Sequence, residues 1–499
     1  MSIKSLGAKF FAAYVKKKID RWSNNPIKTQ EKVFWELIRA AESTAFGRDH
    51  NFSNITTHQD FVKNVPARDY EQLRPYMDRV VSGEKDVVWP GKPLYFAKTS
   101  GTTSGVKYIP LTKESIPTHI NAARNAILCY IAESGRTDFV NGKMIFLQGS
   151  PELSEKNGIN LGRLSGIVAH YVPKYLQKNR MPSWETNCIE DWEDKVEAIV
   201  AETIHENMTV ISGIPPWVQM YFERLSDKSQ KTIGELFPNF ELFIYGGVNY
   251  EPYRATFEKL IGRKVPSIEL YPASEGFFAF QDKQNANGML LQLNSGMFYE
   301  FIKADEFFNE DPQRLTIGEV VTDVNYVMLV STNAGLWSYN IGDTIMFTST
   351  KPYRVLVSGR IKHFISAFGE HVIGKEVEIA LQVGADKTGM MVKEFTVAPQ
   401  INPTDESIPY HEWFIEFQEE PDDIEELAEA IDSELRSQNS YYDDLIRGKM
   451  LRRLQIRVMP KDGFNEYMKS IGKLGGQNKL PRLSNDRKIA DVLSGMIAK

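Results

Sequence analysis

The sequence predicts an α/β chain. Its large N-terminal domain would hold mostly parallel sheets with helices plus an antiparallel subdomain, and a smaller, mobile α+β domain would follow at the C-terminus. Three observations lead there. Between Ser115 and Ile261, strand-length apolar runs such as Leu242-Phe243-Ile244-Tyr245 alternate with stretches of helical period, the pattern of βαβ units. From Gly288 to Ser349, short alternating strands such as Tyr326-Val327-Met328-Leu329-Val330-Ser331 follow one another directly. After Ser358-Gly359-Arg360 the two periods mix again over about 140 residues, within the usual size of a domain. The boundaries drawn from this are 1–358 and 359–499.

Taken in order, Met1 to Trp22 reads as a basic amphipathic helix. Phe10, Phe11, Tyr14 and Val15 are interleaved with Lys9, Lys16, Lys17, Lys18 and Arg21, and its apolar face is expected to pack on the body. Val33, Phe34, Leu37, Ile38 and Ala41 recur at helical spacing, and Thr57 with Asp60 has the spacing of a capping box before the next helix. Asp69 to Leu73 starts another. Ile116, Ile120, Ala123, Ile127 and Ile131 form one stripe of a helix from Ser115 to Ala132. Lys143 to Leu147, Thr209 to Gly213, Leu242 to Tyr245 and Ser267 to Tyr271 read as strands, with helices over Trp192 to Glu206, after Pro216, and over Tyr253 to Ile261. Near the C-terminus, Ile373 to Leu381, Asp422 to Ser437 and Asp443 to Arg453 read as helices. Phe395 to Ala398 and Trp413 to Phe417 read as strands, and the acidic run Glu419 to Glu429 as a solvated helix face.

Composition narrows the function. Apolar residues make up 42% and charged residues 25%, as in ordinary globular chains. A net charge of -6 argues against nucleic acid as a partner, which needs a basic face. Two cysteines, Cys129 and Cys188, cannot build a disulfide framework and fit a cytoplasmic setting. No apolar run has the length of a spanning helix, and no membrane partner is expected.

The chemistry-bearing stretch is Thr99-Ser100-Gly101-Thr102-Thr103-Ser104-Gly105-Val106-Lys107, set between two short strands. Glycines let backbone N–H groups approach a ligand, hydroxyls suit phosphate oxygens, and the lysine adds a point charge. The Walker spacing is not met, and no Ser or Thr follows Lys107. Further along come Gly246-Gly247 after a strand, then Tyr271-Pro272-Ala273-Ser274-Glu275. There a carboxylate beside phosphates would hold Mg²⁺, and an aromatic ring could stack on a base. Tyr339-Asn340-Ile341-Gly342-Asp343 then places an acid at the start of a strand, where it could take ribose hydroxyls. Gly359-Arg360-Ile361-Lys362 sits where the composition changes, and the glycine-rich basic segment Gly472 to Arg482 carries Lys473 and Lys479.

In this order the stations resemble the adenylate-forming superfamily of acyl-CoA synthetases, luciferases and peptide-synthetase adenylation domains. More closely, the chain resembles the auxin-responsive acyl acid amido synthetases of plants and their bacterial relatives. That likeness rests on Thr44-Ala45-Phe46-Gly47-Arg48-Asp49-His50, Arg74-Pro75-Tyr76 with Arg79 and Gly83-Glu84, Phe96-Ala97-Lys98, and Gln477-Asn478-Lys479-Leu480-Pro481-Arg482. The resemblance implies that Ser100, Gly101, Thr102, Thr103, Ser104, Gly105 and Lys107 cradle the phosphates of ATP. Gly246 and Gly247 would line the adenine slot with Tyr271 against the ring. Ser274 would touch the α-phosphate, Glu275 would hold Mg²⁺, and Asp343 with Arg360 would bind the ribose. Lys362 falls at the superfamily's hinge, and Lys479 matches its mobile adenylation lysine, with Lys473 as the competing candidate. Asn340 stands where plant members usually carry Arg, and Lys362-His363 where the CoA and carrier-protein enzymes usually carry acids.

The implied activity is ATP-dependent adenylation of a small carboxylic acid with release of pyrophosphate. Transfer of the acyl group to an amine, an amino acid, then gives an amide and AMP. An acyl-CoA ligase shares the first step and is the alternative. A nucleotide-binding scaffold that has lost turnover is disfavoured by the joint presence of Glu275, Asp343 and Lys479. The acid is expected between the helix from Ser115 and the Gly213 to Trp217 turn.

Overall fold

The structure, a computed structural model, describes residues 3–100, 106–172, 177–189, 191–247, 250–361, 364–365, 372–401, 403, 408–447, 451–475 and 479–497. The chain divides into two compact units. One comprises Met1–Val248 with Ile261–Leu356, the other Asn249–Leu260 with Val357–Lys499. The helix Glu251–Ile261, although it lies between two strands of the first unit in chain order, therefore groups almost wholly with the C-terminal residues.

The first unit opens with helices whose ends are written in the sequence. Thr57 caps His58–Asn64 in a capping box with Asp60, and Asp69 caps Tyr70–Val81 in a second box with Gln72. The N-terminal helix Ile3–Ser23 does pack on the body, but through Ala12, Val15 and Ile19 rather than the expected aromatics. Small and β-branched residues at that spacing let it lie against the helix Ile116–Ser134, and they leave Phe10 72% exposed and Tyr14 54% exposed on other faces.

Strands β1 (Tyr95–Ser100) and β2 (Val106–Leu111) form an antiparallel hairpin with Thr99 opposite Lys107. They belong to a four-stranded sheet with β4 (Ser154–Lys156) and β5 (Ile159–Gly162), in the order β2-β1-β5-β4. The main sheet takes in β3 (Lys143–Phe146), β6 (Arg180–Met181), β7 (Met208–Ser212), β8 (Leu242–Gly246), β9 (Ser267–Ala273), β10 (Gly276–Phe280), β11 (Met289–Leu291), β12 (Met297–Lys303), β13 (Asn325–Thr332), β14 (Tyr339–Thr350) and β15 (Tyr353–Arg360). Its order is β12-β13-β14-β15-β11-β10-β9-β8-β7-β3-β6. The β6, β3, β7, β8 and β9 stretch is parallel, as βαβ units require. The pairs β9–β10, β10–β11, β11–β15, β13–β14 and β12–β13 are antiparallel. The expected parallel part and antiparallel subdomain are thus two halves of one continuous sheet.

In the second unit, β18 (Val392–Gln400), β19 (Tyr410–Phe417) and β20 (Gln455–Val458) form a three-stranded sheet. Helices Gly374–Thr388 and Ile424–Gln438 bury Val377, Leu381, Leu427 and Ile431 together with Phe395 and Trp413 of that sheet. Glu425, Glu426 and Glu429 of the acidic run are exposed. The pairs β16 (Phe364–Ile365) and β17 (Val372–Ile373) make a short ribbon.

A buried charge cluster ties the early helices of the first unit to the sheet. Glu300 on β12, 0% exposed, accepts from Arg314 Nε at 3.0 Å and Nη2 at 2.7 Å and from Ser338 Oγ at 2.8 Å, with His58 Nε2 at 2.8 Å. Arg314 Nη1 also donates to the Val65 carbonyl at 2.5 Å, at the end of the helix that His58 begins. Burial alone would raise the Glu300 pKa, but Arg314 and His58 outweigh it and bring it from 4.5 down to about 2. Below pH 4.5 the unfolded carboxyl takes a proton that the folded one refuses. This stabilisation is therefore complete above pH 4.5 and lost as pH falls towards 2. Glu300→Gln leaves Arg314 buried without its counter-charge and is expected to cost about 3 kcal/mol. Denaturant unfolding from pH 7 to pH 2 checks it: the variant should be less stable at neutral pH and should lose stability less steeply in acid than the wild type.

Candidate active site

The site is built at the carboxyl ends of β8 and β9, where open α/β sheets bind ligands. Gly246 ends β8 opposite Leu270 of β9, and a Cβ on it would come within 2.5 Å of the Leu270 carbonyl oxygen. Its lack of a side chain is thus set by the neighbouring strand. Gly247 follows at φ +80°, a left-handed conformation that glycine adopts without strain. One glycine serves close packing and the other serves the turn.

β9 and β10 are joined so tightly that Ala273 faces Gly276 and only Ser274 and Glu275 form the tip of the hairpin. Both are half-buried. The expected carboxylate is therefore held on a short, well-defined turn. Among the described residues there is no group of three or more His, Cys, Asp and Glu suited to hold a metal on its own. A single carboxylate fits Mg²⁺, which keeps waters and takes its other ligands from phosphate oxygens.

Tyr271 lies on β9, is 6% exposed, and packs edge-on against Phe278 with ring centroids 5.0 Å apart. Its hydroxyl donates to Asp343 Oδ2 at 2.6 Å, a short bond. Two residues 72 apart, each singled out from a different motif, are thereby in direct contact.

Asp343 is not at the start of a strand, as its Gly-Asp setting suggested, but inside the twelve-residue β14. The pairing with β13 explains its orientation. Val327 faces Thr344 and Leu329 faces Asn340, so Ile341, Gly342 and Asp343 stand opposite the single residue Met328. That is a bulge, which bends a strand and re-aims a side chain. Gly342 sits at φ +87°, and its N–H donates to Asn340 Oδ1 at 2.8 Å. Asn340 thus shapes the backbone that presents Asp343.

On the four-stranded sheet, Lys107 lies on β2 with its ammonium 5.7 Å from the centre of the Tyr70 ring, and the Tyr70 hydroxyl accepts from the Tyr108 N–H at 2.9 Å. Ser100 ends β1; Gly101, Thr102, Thr103, Ser104 and Gly105, which connect the two strands, lie outside the described residues. Arg360 ends β15, and Lys362 and His363 lie outside the described residues. In the second unit Lys479 and Lys473 are exposed, with Gly472 and Gly475 at positive φ upstream of Lys479. Downstream the chain is fixed: Thr396 Oγ1 donates to the Pro481 carbonyl at 2.6 Å, and Val397 N–H to the Arg482 carbonyl at 3.0 Å. Lys479 therefore stands between a glycine-rich arm and an anchored stalk.

His119, on the helix Ile116–Ser134, belongs to none of the sequence motifs. It is 4% exposed, its Nδ1 has no hydrogen-bond partner, and burial pushes its pKa down to about 4, so the imidazole is neutral at pH 7. Its position three residues after Ile116, on the inward side of that helix, was the available signal. At the other expected wall, Gly213 follows β7. A Cβ there would come within 3.0 Å of Val218 and Leu147 side-chain atoms, and Trp217 packs on Trp192 at 4.7 Å between centroids.

Known proteins resemble this chain over most of its length. Three domain models match in chain order: the GH3 family N-terminal domain over residues 15–190, its central domain over 290–360 and its C-terminal domain over 375–488. Among curated relatives, a probable indole-3-acetic acid-amido synthetase GH3.1 of Arabidopsis thaliana is 22% identical over 96% of this chain and 92% of its own. A jasmonoyl–L-amino acid synthetase JAR4 of Nicotiana attenuata is 21% identical over 64% of this chain and 66% of its own. The fold is that of a solved GH3.15 acyl acid amido synthetase, with TM-score 0.80 and 16% identity, covering 97% of this chain and 96% of that one. A 2-hydroxyisobutyryl-CoA ligase in a postadenylation state shares it more loosely, with TM-score 0.60 and 13% identity over 95% and 92% of the two chains. The three matched domains span well over half of the sequence, and the chain belongs to the GH3 family, the auxin-responsive acyl acid amido synthetases.

Proposed function

We propose that this protein uses ATP to activate a small organic acid as its acyl-adenylate and then passes the acyl group to the amine of an amino acid. The Tyr271–Asp343 contact at the carboxyl edge of the sheet is the observation that carries this reading, because it unites two separate nucleotide-recognition motifs in one place. A carboxylate offers about four acceptor positions, so a residue such as Asp343 can accept from more than one hydroxyl at a time. The Tyr271 ring, fixed by Phe278 and Asp343, gives one side of an adenine slot whose floor is the Gly246–Gly247 turn.

In the first half-reaction the acid's carboxylate attacks the α-phosphorus and pyrophosphate leaves. The chain's part is to align the two reactants and to stabilise charge that spreads over the phosphate oxygens. Ser274 on the hairpin tip would steady the α-phosphate. Ser100, Gly101, Thr102, Thr103, Ser104, Gly105 and Lys107 would hold the outer phosphates, Arg360 would assist at the ribose, and Lys479 would bring a cation to the α-phosphate. Mg²⁺ held by Glu275 would neutralise phosphate charge. In the second half-reaction the amine attacks the acyl carbon and AMP leaves. Swinging of residues 359–499, as the C-terminal domain, would clear the way for the amine and keep water from the adenylate.

The acid would lie between the helix Ile116–Ser134 and the turn at Gly213–Trp217, against apolar and aromatic side chains. The relatives' names, indole-3-acetic acid-amido and jasmonoyl–amino acid synthetases, support a small organic acid and an amino acid as the pair of substrates. No helix among the described residues is long and apolar enough to cross a membrane. The two unpaired thiols, Cys129 buried and Cys188 half-buried, support a reducing, cytoplasmic setting.

The direct test is mass spectrometry of products from ATP with a library of acids and amino acids. An amide with AMP is expected, and a thioester formed only when CoA is supplied would move the protein to the acyl-CoA ligases. Glu275→Gln is expected to slow pyrophosphate release by a few orders of magnitude, since a bound divalent ion is worth several kcal/mol at such a step. Wild-type release rates would remove Glu275 from the site. Lys479→Ala should cripple pyrophosphate release while largely sparing amide formation from supplied acyl-adenylate. Single-turnover kinetics on Lys479→Ala and Lys473→Ala compares the two lysines, and a selective defect in the latter alone would transfer the role to Lys473.

A further inference from the structure

Arg482 lies three residues beyond Lys479, in the unit that joins residues 249–260 to 357–499. The backbone around it is already held without its side chain. Thr396 bonds the Pro481 carbonyl, the Val397 N–H bonds the Arg482 carbonyl, Ser484 N–H donates back to the Val397 carbonyl at 2.9 Å, and Leu483 bridges Val397 in parallel. The stalk would therefore persist with another residue at 482.

The guanidinium nevertheless meets several partners at once. Its Nη1 donates to the Glu394 carboxylate and its Nη2 to the Tyr253 hydroxyl at 2.6 Å, while Nε stands 3.7 Å from Glu378. Its face lies 4.7 Å from the centre of the Phe395 ring. The Tyr253 hydroxyl closes the cluster by donating to Glu394 Oε2 at 3.3 Å. The side chains of Arg482, Glu378 and Glu394 are 14%, 16% and 17% exposed, and Tyr253 is 2% exposed. A planar fork meeting two acids and a phenol at once fixes direction as well as distance.

Tyr253 is what gives the cluster its meaning. It sits on the first turn of Glu251–Ile261, the helix that the chain enters directly after the Gly246–Gly247 turn. The same helix is tied to this unit again by Lys259 with Glu419 at 2.8 Å and by Gln418 with Thr256. What the Arg482 side chain adds to an already anchored stalk is a link to the helix Glu251–Ile261, whose residues up to Leu260 belong to the same unit.

We propose that Arg482, clamped by Tyr253, Glu394 and Glu378, is a positioning residue for Lys479 in the adenylation half-reaction, linking the lysine's stalk to the helix that follows the Gly246–Gly247 turn. The inference rests on the adenylation role given above to Lys479. An ammonium one angstrom out of place loses most of its effect on a transition state, so loosening the clamp is expected to cost roughly a hundredfold in pyrophosphate release.

The test uses the full chain with Arg482→Gln, Arg482→Lys, Tyr253→Phe and Lys479→Ala. For each, pyrophosphate release, single-turnover amide formation from supplied acyl-adenylate, ATP affinity by calorimetry and the melting temperature are measured. Arg482→Gln is expected to lose adenylation roughly a hundredfold with amide formation and ATP affinity little changed. Arg482→Lys should not restore it, because one ammonium cannot hold the fork. Tyr253→Phe, which removes a single hydroxyl, should show the same selective defect in weaker form. Equal losses in both half-reactions with a lowered melting temperature would make the cluster a structural ion pair and overturn the proposal. So would a selective defect in Lys479→Ala that neither Arg482→Gln nor Tyr253→Phe shares. If Lys479→Ala itself keeps wild-type adenylation, the reading of Lys479 falls and the proposal with it.

Discussion

The bond between Tyr271 and Asp343 imposes a shape on the whole first unit. In the main sheet β9 and β14 are separated by β10, β11 and β15. Four strand spacings in a flat sheet amount to roughly 19 Å, far more than a tyrosine and an aspartate can span. The sheet must therefore curl strongly between its parallel and antiparallel halves, so that strands distant in order meet across a concave face. Two irregularities accompany this curl: the register shift in β10 between Phe277 and Ala279, and the bulge in β14 opposite Met328. Bulges strengthen the local twist, and here one of them also delivers the carboxylate to the concave side. The apolar lining of that side, with Phe278, Tyr339, Ile345 and Phe347 in the same core as Tyr271, stabilises the curl by burial.

This explains which parts of the site were legible in the sequence. Gly246 closes β8, and Gly247, Ser274 and Glu275 lie directly after strands whose apolar runs are unmistakable, so their place at strand ends follows from local pattern alone. Asp343 stands inside β14 rather than at the start of a strand. Gly342-Asp343 reads as a turn at short range, and only the non-local pairing of Val327 with Thr344 and Leu329 with Asn340 turns it into a bulge. The same limit applies to the N-terminal helix. Phe10 and Tyr14 look like its packing face by residue type, yet Ala12, Val15 and Ile19 win because close approach to the helix Ile116–Ser134 rewards small side chains. The spacing of His119 from Ile116 places it on the inward face of its helix but does not set it apart from the core residues there, and its unpartnered Nδ1 is visible only in three dimensions.

Chain order also hides the allegiance of Glu251–Ile261. Its strand-helix-strand context reads as one more crossover of the parallel sheet, and it does connect β8 to β9 in that way. Its polar side chains, however, are matched to the C-terminal unit: Tyr253 to Arg482 and Glu394, Thr256 to Gln418, Lys259 to Glu419. No periodicity argument ranks such pairs, because each joins residues more than a hundred positions apart.

The charge balance of the chain fits a mononucleotide better than a polymer. A net charge of -6 would repel a nucleic acid, whose binding depends on many phosphate contacts spread over a basic surface. That repulsion fades beyond about one Debye length, roughly 8–10 Å at physiological salt, so a single triphosphate responds chiefly to what lies next to it. Next to it a few groups suffice: backbone N–H donors in glycine turns, one or two cations, and a divalent ion held by one carboxylate. The sequence concentrates its few candidates accordingly, with Lys107 at the base of one hairpin, Glu275 at the tip of another, and Lys479 on a glycine-flanked stalk. An acidic protein can therefore bind a highly charged nucleotide without a basic face, provided that its cations are held where charge develops. That requirement makes the rigidity behind each cation as important as the cation itself.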